Sequence, residues 1–331
     1  MSLFDDNPSQ PPQPEFDSSS PADQPVVAPP ANTPELSLPG DPISYAGVIP
    51  AVPPDPQSRL PEDLRIPWSW LHLIFFIIFG VGSLIIIQFG AILSLSGPRP
   101  LSQKQLQQLV ESNPRFIIGT NLLWFALLFL FLYVTLSVLR DLPFWRSLGW
   151  RKLAAGPSRR STSPWAFFFG GCGLAIFVFL AGSQIHQTSH LPIEDFLKTR
   201  TGALLLNGMA VLVAPLVEET IFRGYLYPFL AGKFFLLLEM LGVAPAQALR
   251  FGTGAGVVIT GALFGMLHGQ QLAWTLGFVS LLTVVGIVFT FVRARTGTVF
   301  ASYLLHLGYN SLIVATSFIA TRGFTHFPVS H

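Results

Sequence analysis

From residue 68 onward the chain is a succession of apolar runs about as long as a bilayer is thick. Crossing a hydrocarbon core of ~30 Å takes about 20 apolar residues in a helix. Seven runs approach or exceed that length: residues 69–96, 116–139, 164–182, about 202–230, 253–269, 272–292 and 299–320. Lipid offers no partner to a backbone amide, so each run must satisfy its own hydrogen bonds as a helix. The expected fold is an all-α polytopic membrane protein of about seven to eight transmembrane helices. Composition agrees, since 50% of the residues are hydrophobic and only 11% are charged, against roughly 25% charged in soluble domains. The stretch 232–250, GKFFLLLEMLGVAPAQALR, is apolar but short and interrupted. It reads as an interfacial or re-entrant piece, with an eighth span as the alternative. No internal repeat of solenoid or transporter type is present.

Residues 1–67 are compositionally separate. They hold 17 of the 28 prolines and only two basic residues, Arg59 and Arg65. Such a stretch buries too little apolar surface to offset the entropy of ordering its backbone. It is expected to be a disordered, partly polyproline II tail. The opening MSLFDDNPSQ is acidic and polar and does not read as a secretory signal peptide. Three zones result: a proline-rich tail (1–67), N-terminal transmembrane helices (68–190) and a core (199–322). Cys172 is the only cysteine, so no intramolecular disulfide can form. The net charge of +2 gives no reason to expect nucleic acid. The expected partners are membrane lipid and a peptide or protein substrate, which could be membrane-anchored.

Basic residues in short loops set orientation. The loop between the second and third runs carries Arg140, Arg146, Arg151, Lys152, Arg159 and Arg160 against one acid, Asp141. That loop is expected in the cytoplasm. Counting spans puts the N-terminus on the same side, and the loop holding Arg293 and Arg295 as well if 232–250 does not cross. A bacterial inner (plasma) membrane is the expected location.

Ionisable groups inside these runs are costly, at least ~2.5–3.5 kcal/mol each on insertion scales, and are functional candidates by default. The fourth run contains VEETIFRG, residues 217–224. Glu219 and Arg223 are four apart on one helix face and can pair. A packing role that locks two helices is as good a reading for them as a functional one. Glu218 lies about 100° round the helix, with no local partner. An unpartnered carboxylate in low dielectric accepts a proton more readily than a paired one, which suits a general base. The fifth run places Phe264 and His268 four apart, and the seventh places His306 and Asn310 four apart. These groups are expected to share one polar intramembrane cavity. With straight helices and these bounds, however, His268 falls near the outer end of its span while Glu218 sits mid-helix. Either the bounds or the straightness must yield. Gln88, Asn121 and Asn207 read as interhelical hydrogen-bond formers, and His72, beside Trp68 and Trp70, as an interfacial anchor.

Glu218 and His268 could grip and deprotonate a water, while His306 and Asn310 donate hydrogen bonds to a carbonyl oxygen gaining charge. That constellation is a peptide hydrolase without a covalent intermediate. Alternatively Glu218, His268 and His306 could ligate a divalent metal such as zinc, and spacing does not decide between the two. The chain has no H-E-x-x-H, no G-x-S in a span and no G-x-G-D. A non-catalytic membrane scaffold and a proton-coupled transporter are the competing classes. The transporter is weakened by the missing repeats and broken-helix pairs.

Three ordered motifs carry a resemblance: E-E-x-x-x-R at Glu218, Glu219 and Arg223, F-x-x-x-H at Phe264 and His268, and H-x-x-x-N at His306 and Asn310. Together they resemble the CAAX-protease and bacteriocin-processing (CPBP) family of intramembrane proteases, the Rce1-like, Abi group. The resemblance covers about 200–320. It implies an Rce1-like bundle around a polar cavity, with Glu218 and His268 activating water, His306 and Asn310 forming the oxyanion site, and Glu219 and Arg223 in support. Members are called metalloproteases, and a metal-free glutamate mechanism is also implied as an option. Eukaryotic members trim prenylated CAAX proteins, and bacterial relatives act in peptide maturation or bacteriocin self-immunity. The 50 residues between Glu218 and His268 make the 232–250 stretch look like a long insert.

Overall fold

The computed structural model describes residues 56–96, 101–102, 104–105, 113–153, 163–185, 194, 197 and 199–326. Every regular element among them is helical. The long helices are α1 (Trp70–Ser96), α2 (Pro114–Tyr133), α3 (Pro164–Gly182), α4 (Arg200–Leu212), α5 (Tyr227–Met240), α6 (Pro245–Leu267), α7 (Leu276–Thr296) and α8 (Val299–Ala320). α2 runs on into a π-helical turn, Val134–Val138. Between α4 and α5 the chain stays helical through Ala214–Glu218 and a π-helical segment, Glu219–Leu226. Prolines open α2, α3 and α6, where a missing N–H costs no helical bond.

Seven of the resulting helical stretches are long and apolar enough to cross a membrane, and Arg200–Met240 counts as one of them, 41 residues long. At 1.5 Å per residue it would measure about 62 Å, roughly twice a bilayer core. The stretch 232–250 is therefore not a re-entrant insert. Its first part completes α5, its last part begins α6, and a turn at 241–244 joins them. This hairpin also removes the mismatch in depth. Glu218 lies 22 residues before the end of α5, and His268 lies 23 residues after the start of α6. Two antiparallel arms of equal length bring them level. The bounds yield, because apolar runs cannot reveal helix that continues past the bilayer.

Small residues let the helices touch backbone to backbone, the usual means of association in lipid. Gly252 and Gly256 of α6 face Phe235 and Ala231 of α5, where an added Cβ would come within 2.8 Å and 3.0 Å of backbone nitrogens. Gly261 packs on Ile287 and Gly286 of α7. Gly171 of α3 rests on the Leu305 carbonyl, and Gly308 of α8 on that of Phe168. The sequence holds this signal as glycines four apart at 252/256 and 261/265. Much of the outer surface is apolar, with Ile86, Phe89, Phe179 and Ile319 each more than 60% exposed, as lipid-facing side chains should be.

The expected tail changes at residue 56. Residues 1–55 lie outside the described residues. Residues 56–66 lie against the bundle, contrary to the expectation of disorder through 67. They form two short 3₁₀ turns, Pro56–Arg59 and Glu62–Leu64, and bury Leu60 and Leu64 against Tyr227, Ala231 and Phe235. Asp63 Oδ2 sits 2.9 Å from Arg293 Nη1, and Arg59 pairs with Glu239 at 3.2 Å. The Arg151 backbone meets Thr298, and the Val299 amide donates to the Gly149 carbonyl at 2.9 Å. The strap 56–66, the arginine-rich loop and the turn between α7 and α8 therefore share one end of the bundle.

His72 is not an interfacial anchor. It is buried at 7% exposure. Its Nδ1 lies 2.6 Å from the Tyr225 hydroxyl and its Nε2 3.0 Å from Thr135 Oγ1. The Thr135 hydroxyl gives its one proton to the Phe131 carbonyl at 2.7 Å. It must accept from His72 Nε2–H, so His72 Nδ1 accepts from Tyr225. Asn207 also departs from expectation, donating to the Ala203 carbonyl of its own helix at 2.8 Å.

Candidate active site

The VEETIFRG stretch spans a break in helical geometry. Val213 leaves regular helical angles (φ −112°) just before Pro215, which lacks the N–H that would continue the ladder. Glu219–Leu226 then winds as π-helix, a form common at functional sites. The loop at 148 presses on this segment. A Cβ on Gly224 would lie 2.5 Å from the Leu148 carbonyl oxygen. The indole N–H of Trp150 donates to Thr220 at 3.1 Å. The widened turn thus has a backbone neighbour, and only glycine fits at 224.

Glu219 and Arg223 are both fully buried. Arg223 Nη1 donates to Glu219 Oε1 at 3.0 Å, its Nη2 to the Gly286 carbonyl at 3.0 Å, and its Nε to Thr290 Oγ1 at 3.2 Å. The rings of Phe264, Phe289 and Phe222 surround its guanidinium at 4.6, 5.3 and 5.6 Å. A buried charge needs this degree of satisfaction to be tolerable. The sequence pattern reveals Glu219 as the partner of Arg223. It does not reveal Thr290 or the Gly286 carbonyl on α7, whose sequence trace is one of that helix's three threonines, four residues after a glycine.

Glu219 Oε1 also accepts from His306 Nδ1, at 3.0 Å. On the other side, His268 Nδ1 donates to the Phe264 carbonyl at 2.8 Å, one turn back on its own helix. Both acceptors are oxygens without a hydrogen, so both imidazoles carry their proton on Nδ1. When neutral, each turns an Nε2 lone pair outward. Both lone pairs face Glu218. Its Oε1 lies 3.9 Å from His268 Nε2, and its Oε2 lies 3.8 Å from His306 Nε2. These separations exceed a hydrogen bond and leave room for a bridging water. Exposure separates two layers. The side chains of Glu218 and His268 are 19% and 22% exposed, whereas that of His306 is 4% exposed and Glu219 and Arg223 are sealed.

Asn310 stands one turn beyond His306 on α8. Its Nδ2 donates to the Ala210 carbonyl of α4 at 2.7 Å, ahead of the break at Val213. One of its two amide hydrogens is therefore committed to tying α8 to α4. Five of the six candidate residues, Glu218, Glu219, Arg223, His268 and His306, form one connected cluster, and Asn310 joins it through α8.

A divalent metal would draw on Glu218, His268 and His306, and the donors are of a suitable type. Adjacent ligands of a tetrahedral zinc bonded at ~2.0–2.2 Å lie about 3.4 Å apart. The 3.8 and 3.9 Å separations here are wider and fall on opposite carboxylate oxygens. Among the described residues no three His, Cys, Asp or Glu side chains close to metal-holding distance. As arranged, the set does not form a metal cage.

No curated protein and no solved structure matches the chain. Residues 200–312 match the family model described as type II CAAX prenyl endopeptidase Rce1-like. The matched region runs from the start of α4 into α8 and contains all six residues above. Over residues 200–312 the helical membrane bundle is thus similar to the Rce1-like type II CAAX prenyl endopeptidases.

Proposed function

We propose that the protein is an intramembrane endopeptidase in which Glu218 activates water against a peptide bond. The observation that carries this reading is the placement of Glu218 between His268 Nε2 and His306 Nε2, one on each carboxylate oxygen. Glu218 takes a proton from water as its oxygen bonds to the carbonyl carbon, a step worth ~10²–10⁴-fold. His268 Nε2 accepts the other hydrogen of that water and holds it in line. Protonated at both nitrogens, His306 donates Nδ1–H to Glu219 and Nε2–H to the carbonyl oxygen as it gains charge. The second amide hydrogen of Asn310 is the other candidate donor, each such donor being worth ~2.7–4 kcal/mol. Glu218 then delivers its proton to the departing amine as the C–N bond breaks. Glu219 and Arg223 touch no reacting atom and act as positioning residues through His306 and α7.

The end of the bundle holding Arg140, Arg146, Arg151 and Arg293 is the cytoplasmic end, by the excess of basic residues in its loops. The strap 56–66 is then cytoplasmic as well.

The test compares wild type with Glu218→Gln and His306→Ala on membrane-tethered peptides. Wild type cleaves and both variants do not, each rate corrected for folded protein. Equal cleavage by all three, or loss that follows unfolding in every variant, would indicate a scaffold or immunity protein instead.

A further inference from the structure

A cavity of about 530 Å³ opens where the strap 56–66, the loop 140–153 and the last turn of α7 meet. Four arginines line it, Arg65, Arg146, Arg151 and Arg293, against two carboxylates, Glu62 and Asp63. The carboxylates do not consume the donors. Glu62 Oε1 lies 3.4 Å from Arg146 Nη2 and 3.3 Å from Arg151 Nη1, and the Glu62 side chain is 62% exposed. Asp63 takes Arg293 Nη1 at 2.9 Å on Oδ2 and Nη2 at 3.1 Å on its carbonyl. Arg151 Nε and Arg293 Nε remain, both buried and both without a hydrogen-bond partner. Arg293 is almost fully enclosed, its side chain 1% exposed. An unmet donor on a buried cation is costly, and an anion in the adjoining space would relieve it.

Position indicates the kind of anion. Pro67 precedes α1 by three residues, Leu142 and Pro143 follow the end of α2, and Arg293 is in the last turn of α7. Three helices of membrane length begin or end around this cavity, which sets it at the level of lipid headgroups. Basic pockets at that level suit anionic headgroups. We propose that the cavity binds the phosphate of an anionic phospholipid, and that Glu62 competes with that phosphate for Arg146 and Arg151. The bound headgroup would join the strap, the arginine loop and α7. The cavity lies apart from Glu218 and the inference does not depend on the proteolytic reading.

The test uses the full chain in nanodiscs of phosphatidylcholine, with or without a minority of phosphatidylglycerol, and reads retained lipid by native mass spectrometry. Wild type retains phosphatidylglycerol in preference to phosphatidylcholine. Arg146→Gln and Arg151→Gln each weaken retention about fivefold, with melting in pure phosphatidylcholine unchanged. Glu62→Gln strengthens retention, an outcome that misfolding cannot imitate and that decides the matter if the arginine variants fold poorly. Equal retention of both lipids by wild type, or unchanged or weaker retention by Glu62→Gln, overturns the proposal. Stabilisation by inorganic phosphate in pure phosphatidylcholine equal to that by phosphatidylglycerol also overturns it, and assigns the cavity to a free anion.

Discussion

His306 Nδ1 and Glu219 Oε1 lie 3.0 Å apart although 87 residues separate them in the chain. The same oxygen receives Arg223, so the pair that the sequence marks within one helix also fixes a histidine on another. This arrangement gives Glu219 and Arg223 two separable roles, one in stability and one in aiming His306.

Replacing Glu219 with Gln leaves Arg223 as an uncompensated buried charge, which costs about 3–5 kcal/mol. Thermal unfolding in nanodiscs should show a correspondingly large drop in melting temperature. The double variant Glu219→Leu/Arg223→Met removes both charges and should recover most of that stability. Peptide cleavage should stay depressed in the double variant, because His306 still lacks its Nδ1 acceptor. Recovery of cleavage together with stability would reduce the pair to packing.

Gly308 of α8 rests against the Phe168 carbonyl of α3 with no room for a Cβ. Gly308→Ala should cost about 1–3 kcal/mol by overpacking. It should also lower cleavage at temperatures where the protein stays folded, since α8 carries His306 and Asn310. Gly173→Ala, at a glycine of α3 facing open space, should change neither melting nor cleavage.

The hydrogen bond between Tyr225 and His72 joins α1 to the π segment away from the proposed chemistry. Tyr225→Phe leaves the His72 Nδ1 acceptor buried and unpaired, at about 1–3 kcal/mol. Melting temperature should fall while the cleavage rate per folded molecule holds. A rate that falls more than the folded fraction would bring this network into the catalytic apparatus.

The wide separation of Glu218 from both histidines makes metal independence the expected behaviour. Prolonged dialysis against a strong chelator should leave cleavage within about twofold of the untreated enzyme, and elemental analysis should find no stoichiometric zinc. Abolition by chelation with restoration by zinc would assign Glu218, His268 and His306 as ligands instead.

The helical class, seven spans and the cluster around Glu218 were legible in the sequence because each has a local signature, whereas an eighth span at 232–250 stayed open. Apolar runs have a length, and ionisable residues in such runs stand out. Four-residue spacings place side chains on one face. What was not legible depends on contacts between distant segments. The α5–α6 hairpin could not be read from 232–250, because helix outside the bilayer needs no apolar run. The π winding of Glu219–Leu226 follows Pro215 and packs on the Leu148 carbonyl, and no spacing announces it. His72 looked like an anchor because its tryptophan neighbours suggest an interface, yet its partners are Tyr225 and Thr135. Residues 56–66 looked disordered from their prolines, while Leu60, Asp63 and Leu64 hold them to the bundle.

If side chains from three helices act on one water, removing two of them must cost little more than removing one. Residues that work as a unit are non-additive in this way. The decisive measurement is the cleavage rate of Glu218→Gln, His268→Ala and the double variant, each corrected for folded protein. The double variant is expected to be no slower than the slower single variant, within about threefold. Losses that multiply in the double variant, or full activity in Glu218→Gln, would contradict it.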